Sequence, residues 1–339
     1  MPKLLEVTNL QKDFPIRSGL LGRVQNRVKA VDRVSFSIKS GETLGLVGES
    51  GCGKTTVGRS ILRLIEPTGG SVIFQGIELT RLTRGELRKL RPKFQIIFQD
   101  PYSSLNPRWV VLDIVGEGLV EHGLIKSKSQ KKDYVVEVLE RVGLTSEILY
   151  RYPHEFSGGQ RQRLAIARSI IMNPALLVCD EVVSALDVSI QAQIINLLIE
   201  LRSQLGMAYL FIAHDLAVVK HISDRIAVMY LGQIVELAQS QQLFQNPAHP
   251  YTRALLAAIP VPDPDHPRKR MILKGEVGTS VDNVLGCCFA QRCPSAKDIC
   301  YYQEPPMVEI GEEHYTKCIL NTEESNQKTR YRGACKALE

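Results

Sequence analysis

At 339 residues the chain is too long for one compact core of ordinary size and suits two domains, or one large domain with an extension. Its composition, 44% apolar and 23% charged, is that of a soluble globular protein, and no apolar run approaches the roughly 18 residues that cross a bilayer. The net charge of +6 comes with neither a continuous basic stripe nor interleaved aromatics, which excludes nucleic acid from the expected partners.

The N-terminus, "MPKLLEVTNLQKDF", has acids and amides where a signal peptide would have its apolar core. The expected compartment is therefore the reducing cell interior, where structural disulfides are disfavoured. Residues 4–10 and 28–47 space their apolar residues as strands do, most clearly in "AVDRVSFSI" and "ETLGLVG". A helix starts at Lys54 ("KTTVGRSILRLI") and stops at "EPTGG". "GSVIFQG" and "FQIIFQ" read as short strands, and 112–150 reads as helical throughout. Within that stretch the basic run "KSKSQKK" at 126–132 reads as a solvated loop and helix face, with phosphate or membrane contact as the alternative.

A helix over 158–172 leads to "PALLVCDE", an apolar run ending in two acids that suits a buried parallel strand. Helix ("SIQAQIINLLIELRSQLG"), strand ("MAYLFIAH"), helix and two strands ("RIAVMYL", "QIVELA") follow. This alternation predicts a parallel sheet covered by helices. At 246–268 prolines recur every few residues, marking a linker or extended arm, and 270–339 shows little periodicity. The expected domains are 1–250 and 251–339.

Residues 48–55, "GESGCGKT", fit G-x4-G-K-[ST] directly after a strand and opening a helix. Gly48, Gly51 and Gly53 let the backbone curl so that its N–H groups face phosphate oxygens, with Glu49, Ser50, Cys52 and Thr56 completing the cradle. Lys54 is placed to reach the β- and γ-phosphates and the Thr55 hydroxyl to ligate Mg²⁺. Asp180, ending a buried strand at the crevice where ligands bind in such sheets, is the second expected Mg²⁺ ligand, with Glu181 beside it. The chain is expected to bind a nucleoside triphosphate.

Four further stretches carry a family resemblance. "FSGGQRQRLAIARS" at 156–169 resembles the signature motif of ATP-binding-cassette (ABC) ATPases, with Phe156 where the usual form has Leu. "IIFQDP" at 96–101 is similar to the family's Q-loop, "SALD" at 184–187 to its D-loop and "FIAHD" at 211–215 to its switch histidine. All six motifs stand in the family's order, over about residues 4–260. The resemblance implies a P-loop NTPase fold of the ABC type: a mostly parallel sheet with helices, antiparallel β and helical subdomains, and here a small Cys-rich extension. It implies ATP hydrolysis, with Glu181 polarising water, His214 holding the γ-phosphate, Gln99 sensing Mg²⁺ and linking the site to a membrane partner, and Phe14 stacking on adenine. Ser157, Gly158, Gly159 and Gln160 would cap the ATP of a partner subunit head-to-tail, with Asp187 across the interface. Val182 replaces the family's usual Pro but removes no functional group.

"DPYSSLNPR", "HPYTRALLAAIPVPDPD" and "GCCFAQRCPSAKDIC" resemble the oligopeptide and dipeptide importer branch, and its F-type rather than D-type ATPase. That likeness implies transmembrane permease subunits, a sister ATPase chain in a heterodimer, a peptide-binding protein acting indirectly, and a place on the cytoplasmic face of the membrane. Nickel chelates or glutathione are the alternative cargoes, and a soluble family member the alternative setting. Five of the eight cysteines fall between positions 287 and 318. Their spacing does not separate an iron–sulfur cluster from zinc, since thiolates suit both. The branch resemblance implies a [4Fe–4S] cluster on Cys287, Cys293, Cys300 and Cys318, with Cys288 and Cys335 outside the ligand set. Segment 271–286 departs from the branch in lacking prolines before the first cysteine.

Overall fold

The computed structural model describes residues 2–18, 23–259 and 285–321. Its strands are β1 (Lys3–Ser18), β2 (Arg23–Lys39), β3 (Thr43–Val47), β4 (Gly69–Phe74), β5 (Ile77–Glu78), β6 (Phe94–Ile97), β7 (Leu176–Asp180), β8 (Ala208–Ala213), β9 (Arg225–Tyr230), β10 (Gln233–Gln239), β11 (Val308–Gly311) and β12 (His314–Thr316). One antiparallel sheet runs β2-β1-β4-β5, and a larger one runs β11-β12-β10-β9-β3-β8-β7-β6. The centre of the larger sheet is parallel, β3 pairing with β8 and β9, and β7 with β8 and β6.

The sequence explains this order. β3, β7, β8 and β9 are buried at every position, as strands covered on both faces must be. Gly45 lets the helix Leu216–Ile222 lie directly on β3, because a Cβ there would come within 2.3 Å of Val219 Cγ1. The register sets Val47 beside Ala213 and Asp180 beside Ile212. The C-terminal ends of β3, β7 and β8 therefore share one edge, and each is followed by a segment the sequence marks as functional.

The helical stretch expected over 112–150 resolves into helices Val111–Glu121 and Lys128–Arg141, which pack with helix Gly158–Ile170. Within the basic run, Ser127 caps the second of these and Lys131 pairs with Asp113 at 2.7 Å.

Two features differ from the sequence reading. The proline-rich stretch begins not as an extended arm but as a helix, Pro250–Ala257. Its proline stands at the first helical position, where a missing N–H costs nothing, and it buries Tyr251 and Ala254. The extension, read as aperiodic, supplies β11 and β12, and β12 pairs antiparallel with β10. A buried carboxylate fixes that junction: Glu236 on β10 accepts from the backbone N–H groups of Ala248 (2.7 Å) and His249 (2.9 Å) and meets His314 Nε2 at 2.8 Å. Residues 260–284, which include most of the proline-poor segment, and Cys335 lie outside the described residues.

Candidate functional site

The loop after β3 curls as its glycines allow. A Cβ at Gly48 would stand 2.1 Å from the Met229 carbonyl oxygen, and one at Gly53, where φ is 105°, would stand 2.0 Å from that of Ala30. Neither position admits a side chain. Lys54 opens the helix Lys54–Ile61 and is buried; its Nζ donates to the carbonyl oxygens of Gly48 (2.8 Å) and Glu49 (3.0 Å). The ammonium is thus held over the mouth of the loop by acceptors that phosphate oxygens can replace.

Thr55 Oγ1 donates to Asp180 Oδ1 at 2.7 Å, joining the loop to the end of β7. Asp180 is fully buried, its Oδ2 lacks a hydrogen-bond partner, and Arg59 Nη2 stands 3.8 Å away. Burial pushes the Asp180 carboxyl above its usual range, against the pull of the Thr55 hydroxyl and of Arg59. A buried, half-satisfied carboxylate bonded to a hydroxyl is an oxygen-only donor set, which fits Mg²⁺.

Glu181 follows with φ at +50°, a left-handed backbone that costs a non-glycine residue energy and gathers at functional sites. The turn is held by the Glu181 N–H donating to Ile212 O and by the Ser184 hydroxyl donating to Glu181 O. Its carboxylate accepts from Gln99 Nε2 at 2.7 Å and lies 4.0 Å from Lys54 Nζ. Two sets of polar contacts, Thr55–Asp180 and Lys54–Glu181–Gln99, therefore lie side by side at this sheet edge. His214, just past β8, is exposed to solvent, and Val182 packs in the core.

Other residues singled out in the sequence stand apart from these contacts. Ser157 caps helix Gly158–Ile170 in a reciprocal capping box with Gln160, and both are exposed. Among the described residues no hydrogen bond or ion pair joins Ser157–Gln160 to the phosphate loop. A Cβ on Gly159 would press on Ile190 at 2.9 Å, so the signature turn lies against the start of helix Val188–Leu205, which the exposed Asp187 precedes. Phe156, in place of Leu, is core. Phe14 lies on the β1–β2 ribbon and is 38% exposed, unlike a core phenylalanine, and Lys12 Nζ stands 5.1 Å from its ring centroid.

The comparisons with known proteins agree with this geometry. Residues 31–184 match the family model "ABC transporter", and residues 235–300 match "Oligopeptide/dipeptide transporter, C-terminal region". The oligopeptide transport ATP-binding protein AppF of Bacillus subtilis is 50% identical over 320 residues, covering 94% of this chain and 97% of AppF. The chain belongs to the ABC transporter ATP-binding proteins of the oligopeptide/dipeptide branch. Another member of the branch, a probable peptide ABC transporter ATP-binding protein of Sinorhizobium fredii, is 49% identical over 93% of this chain and 89% of its own. Among solved structures, a dimeric ATP-binding cassette in a post-hydrolysis state with ADP and phosphate superposes with a TM-score of 0.63 at 28% identity, covering 70% of this chain and 98% of that one. A cassette from Clostridium perfringens, part of the transporter complex cbiONQ, gives 0.62 at 26% identity, covering 73% and 92%. As an ABC ATPase this chain hydrolyses ATP, and no helix among its described residues is long and apolar enough to cross a membrane.

The branch's C-terminal region also has a defined arrangement here. Cys287, Cys293, Cys300 and Cys318 line one small pocket together with His249 and Phe289. The Cys287 thiol is held well below its ordinary range, first by a hydrogen bond from Cys288, with His249 adding to the effect. Among the described residues no three His, Cys, Asp or Glu side chains converge as the ligands of a single metal ion. Sequence reasoning missed Arg59 beside Asp180, and it missed Tyr251 and Arg292, both of which touch the phosphate loop. The last two stand inside motifs quoted for the branch, but no periodicity marks them.

Proposed function

We propose that the chain powers peptide import: it is the ATP-hydrolysing subunit of a membrane ABC transporter, and it works as a head-to-tail dimer with a sister ATPase on the cytoplasmic face. The observation that carries the reading is the AppF match over nearly the whole of both chains, with the full hydrolytic set at one sheet edge. In this reading ATP phosphates displace the Gly48 and Glu49 carbonyls from Lys54, and backbone N–H groups of the loop bind them. Thr55 and Asp180, with Gln99, would hold Mg²⁺, which would supply neutralisation of phosphate charge. Glu181, released from Gln99, takes the proton of the attacking water, while His214 bonds the γ-phosphate.

A one-site chain leaves the exposed signature turn and Asp187 without a task. A dimer gives them one, because helix N-termini bind phosphate and this one faces outward. Phe14 in this reading stacks on adenine. A cavity of about 270 Å³, lined by Ser104, Asn106, Trp109, Glu117 and Arg168, lies close after Gln99 and suits a loop of a permease subunit.

The reading is tested in vesicles carrying the chain with its permease and sister subunits. Labelled oligopeptide should accumulate only with ATP and the cognate binding protein. Uptake of a nickel chelate or glutathione instead would keep the motor and change the cargo; ATPase activity without any membrane partner would end the importer reading.

The extension is proposed to hold a [4Fe–4S] cluster as a structural staple. Four thiols around one pocket support it. Protein purified without oxygen should contain about four irons and four sulfides per chain. One zinc and no iron would replace the cluster with a zinc staple, and no metal at all would leave the thiols unligated.

A further inference from the structure

The phosphate loop is gripped from outside the ATPase motifs. Arg292, in the short turn Ala290–Arg292 between Cys287 and Cys293, forms a two-pronged ion pair with Glu49, Nη1 to Oε2 at 2.7 Å and Nη2 to Oε1 at 3.1 Å. The guanidinium also lies 5.8 Å from the centre of the Tyr230 ring and 3.4 Å from its hydroxyl. The Glu49 backbone N–H donates to Tyr251 OH at 2.9 Å, and its carbonyl accepts from Lys54. One loop residue is therefore held at its N–H, its carbonyl and its side chain.

The anchor is closely packed. Tyr230, Tyr251 and Phe289 are almost wholly buried, with ring centres 4.7 to 5.4 Å apart, and Arg292 itself is only 10% exposed in its side chain. A planar guanidinium that meets a carboxylate with two hydrogen bonds fixes orientation as well as distance.

We infer that Arg292 is a positioning residue for ATP: acting through Glu49, it holds the phosphate loop in its binding-competent shape and makes nucleotide affinity depend on how the C-terminal extension is seated. The inference rests on the ATPase reading. A loop competent only a fraction of the time binds more weakly by that fraction. Loss of Arg292 should therefore appear in ATP affinity rather than in the chemical step.

The test uses the full chain, with a non-hydrolysable ATP analogue for binding, amide exchange of residues 49–53, and steady-state hydrolysis. R292A is expected to raise Kd about tenfold and KM in parallel, with kcat at saturation within about twofold, and to speed exchange in the loop. R292K keeps charge but loses the fork, and should raise Kd about threefold. Y251F removes the second anchor and should also raise Kd, so the inference stays testable if R292A fails to fold. Wild-type affinity and exchange in R292A, or in R292K and Y251F where R292A does not fold, overturn it. Full recovery of affinity in R292A/E49Q also overturns it, since neutralising Glu49 would then be the whole effect. If the wild-type chain binds no nucleotide, it is the ATPase reading that falls.

Discussion

Replacing Glu181 with Gln is expected to lower kcat by about 10² to 10⁴, the range a positioned general base contributes, and to leave nucleotide affinity nearly unchanged. The substitution keeps the shape of the side chain and its contact with Gln99 Nε2, now 2.7 Å from a carboxylate oxygen. It removes only the ability to accept a proton. In the proposed reading, phosphate binding rests on the loop backbone, Lys54 and the Thr55–Asp180 pair, and the hydrogen bonds that hold these do not involve Glu181. The left-handed backbone at Glu181 is shared by the variant, so its strain does not change between the two proteins. Single-turnover hydrolysis beside equilibrium binding separates the effects. Hydrolysis within tenfold of wild type would remove Glu181 from the role of base; affinity lost in proportion would make it a binding residue.

The second large effect is on stability and lies far from the chemistry. Glu236→Ala should cost about 3 to 5 kcal/mol of unfolding free energy, since several buried polar groups lose a partner at about 1 to 3 kcal/mol each. Glu236 is wholly buried, and its carboxylate serves two backbone N–H groups and the His314 ring. Truncation strands three buried polar groups at once and leaves a cavity. Urea denaturation followed by tryptophan fluorescence measures the loss, and limited proteolysis shows whether residues 308–316 come free first. A change below about 1 kcal/mol would mean that water reaches the site and satisfies those groups.

The parts of the molecule that were legible in the sequence are those whose causes are local. "GESGCGKT" carries its own turn, and the apolar run before Asp180 declares a buried strand, so Lys54, Thr55, Asp180 and Glu181 stand out in the sequence itself. The edge they share follows from parallel pairing, which the alternation of strand and helix implied. What escaped is non-local. β11 and β12 have four and three residues, too few for a period to show, and they exist because β10 offers a free edge. Arg292 reaches across 243 positions to Glu49, and nothing in "FAQRC" announces the partner. The helix at Pro250–Ala257 was hidden by its own proline, a residue that suits a helix's first turn as well as a linker.

The pairing of β12 with β10 also bears on how the protein is made. β10 is hydrogen-bonded to β9 on one side from the moment both have formed, but its other side stays open until residue 316 has left the ribosome. At about 5 to 20 residues per second the nascent cassette carries an unpaired strand for several seconds, the condition under which chains join edge to edge. The finished rim is β11, a short strand bearing Glu309, which is a poor template for such joining. A recombinant cassette cut after the helix Pro250–Ala257, where the catalytic motifs have all been read, would keep that open strand permanently and should be recovered as aggregate or bound to chaperone.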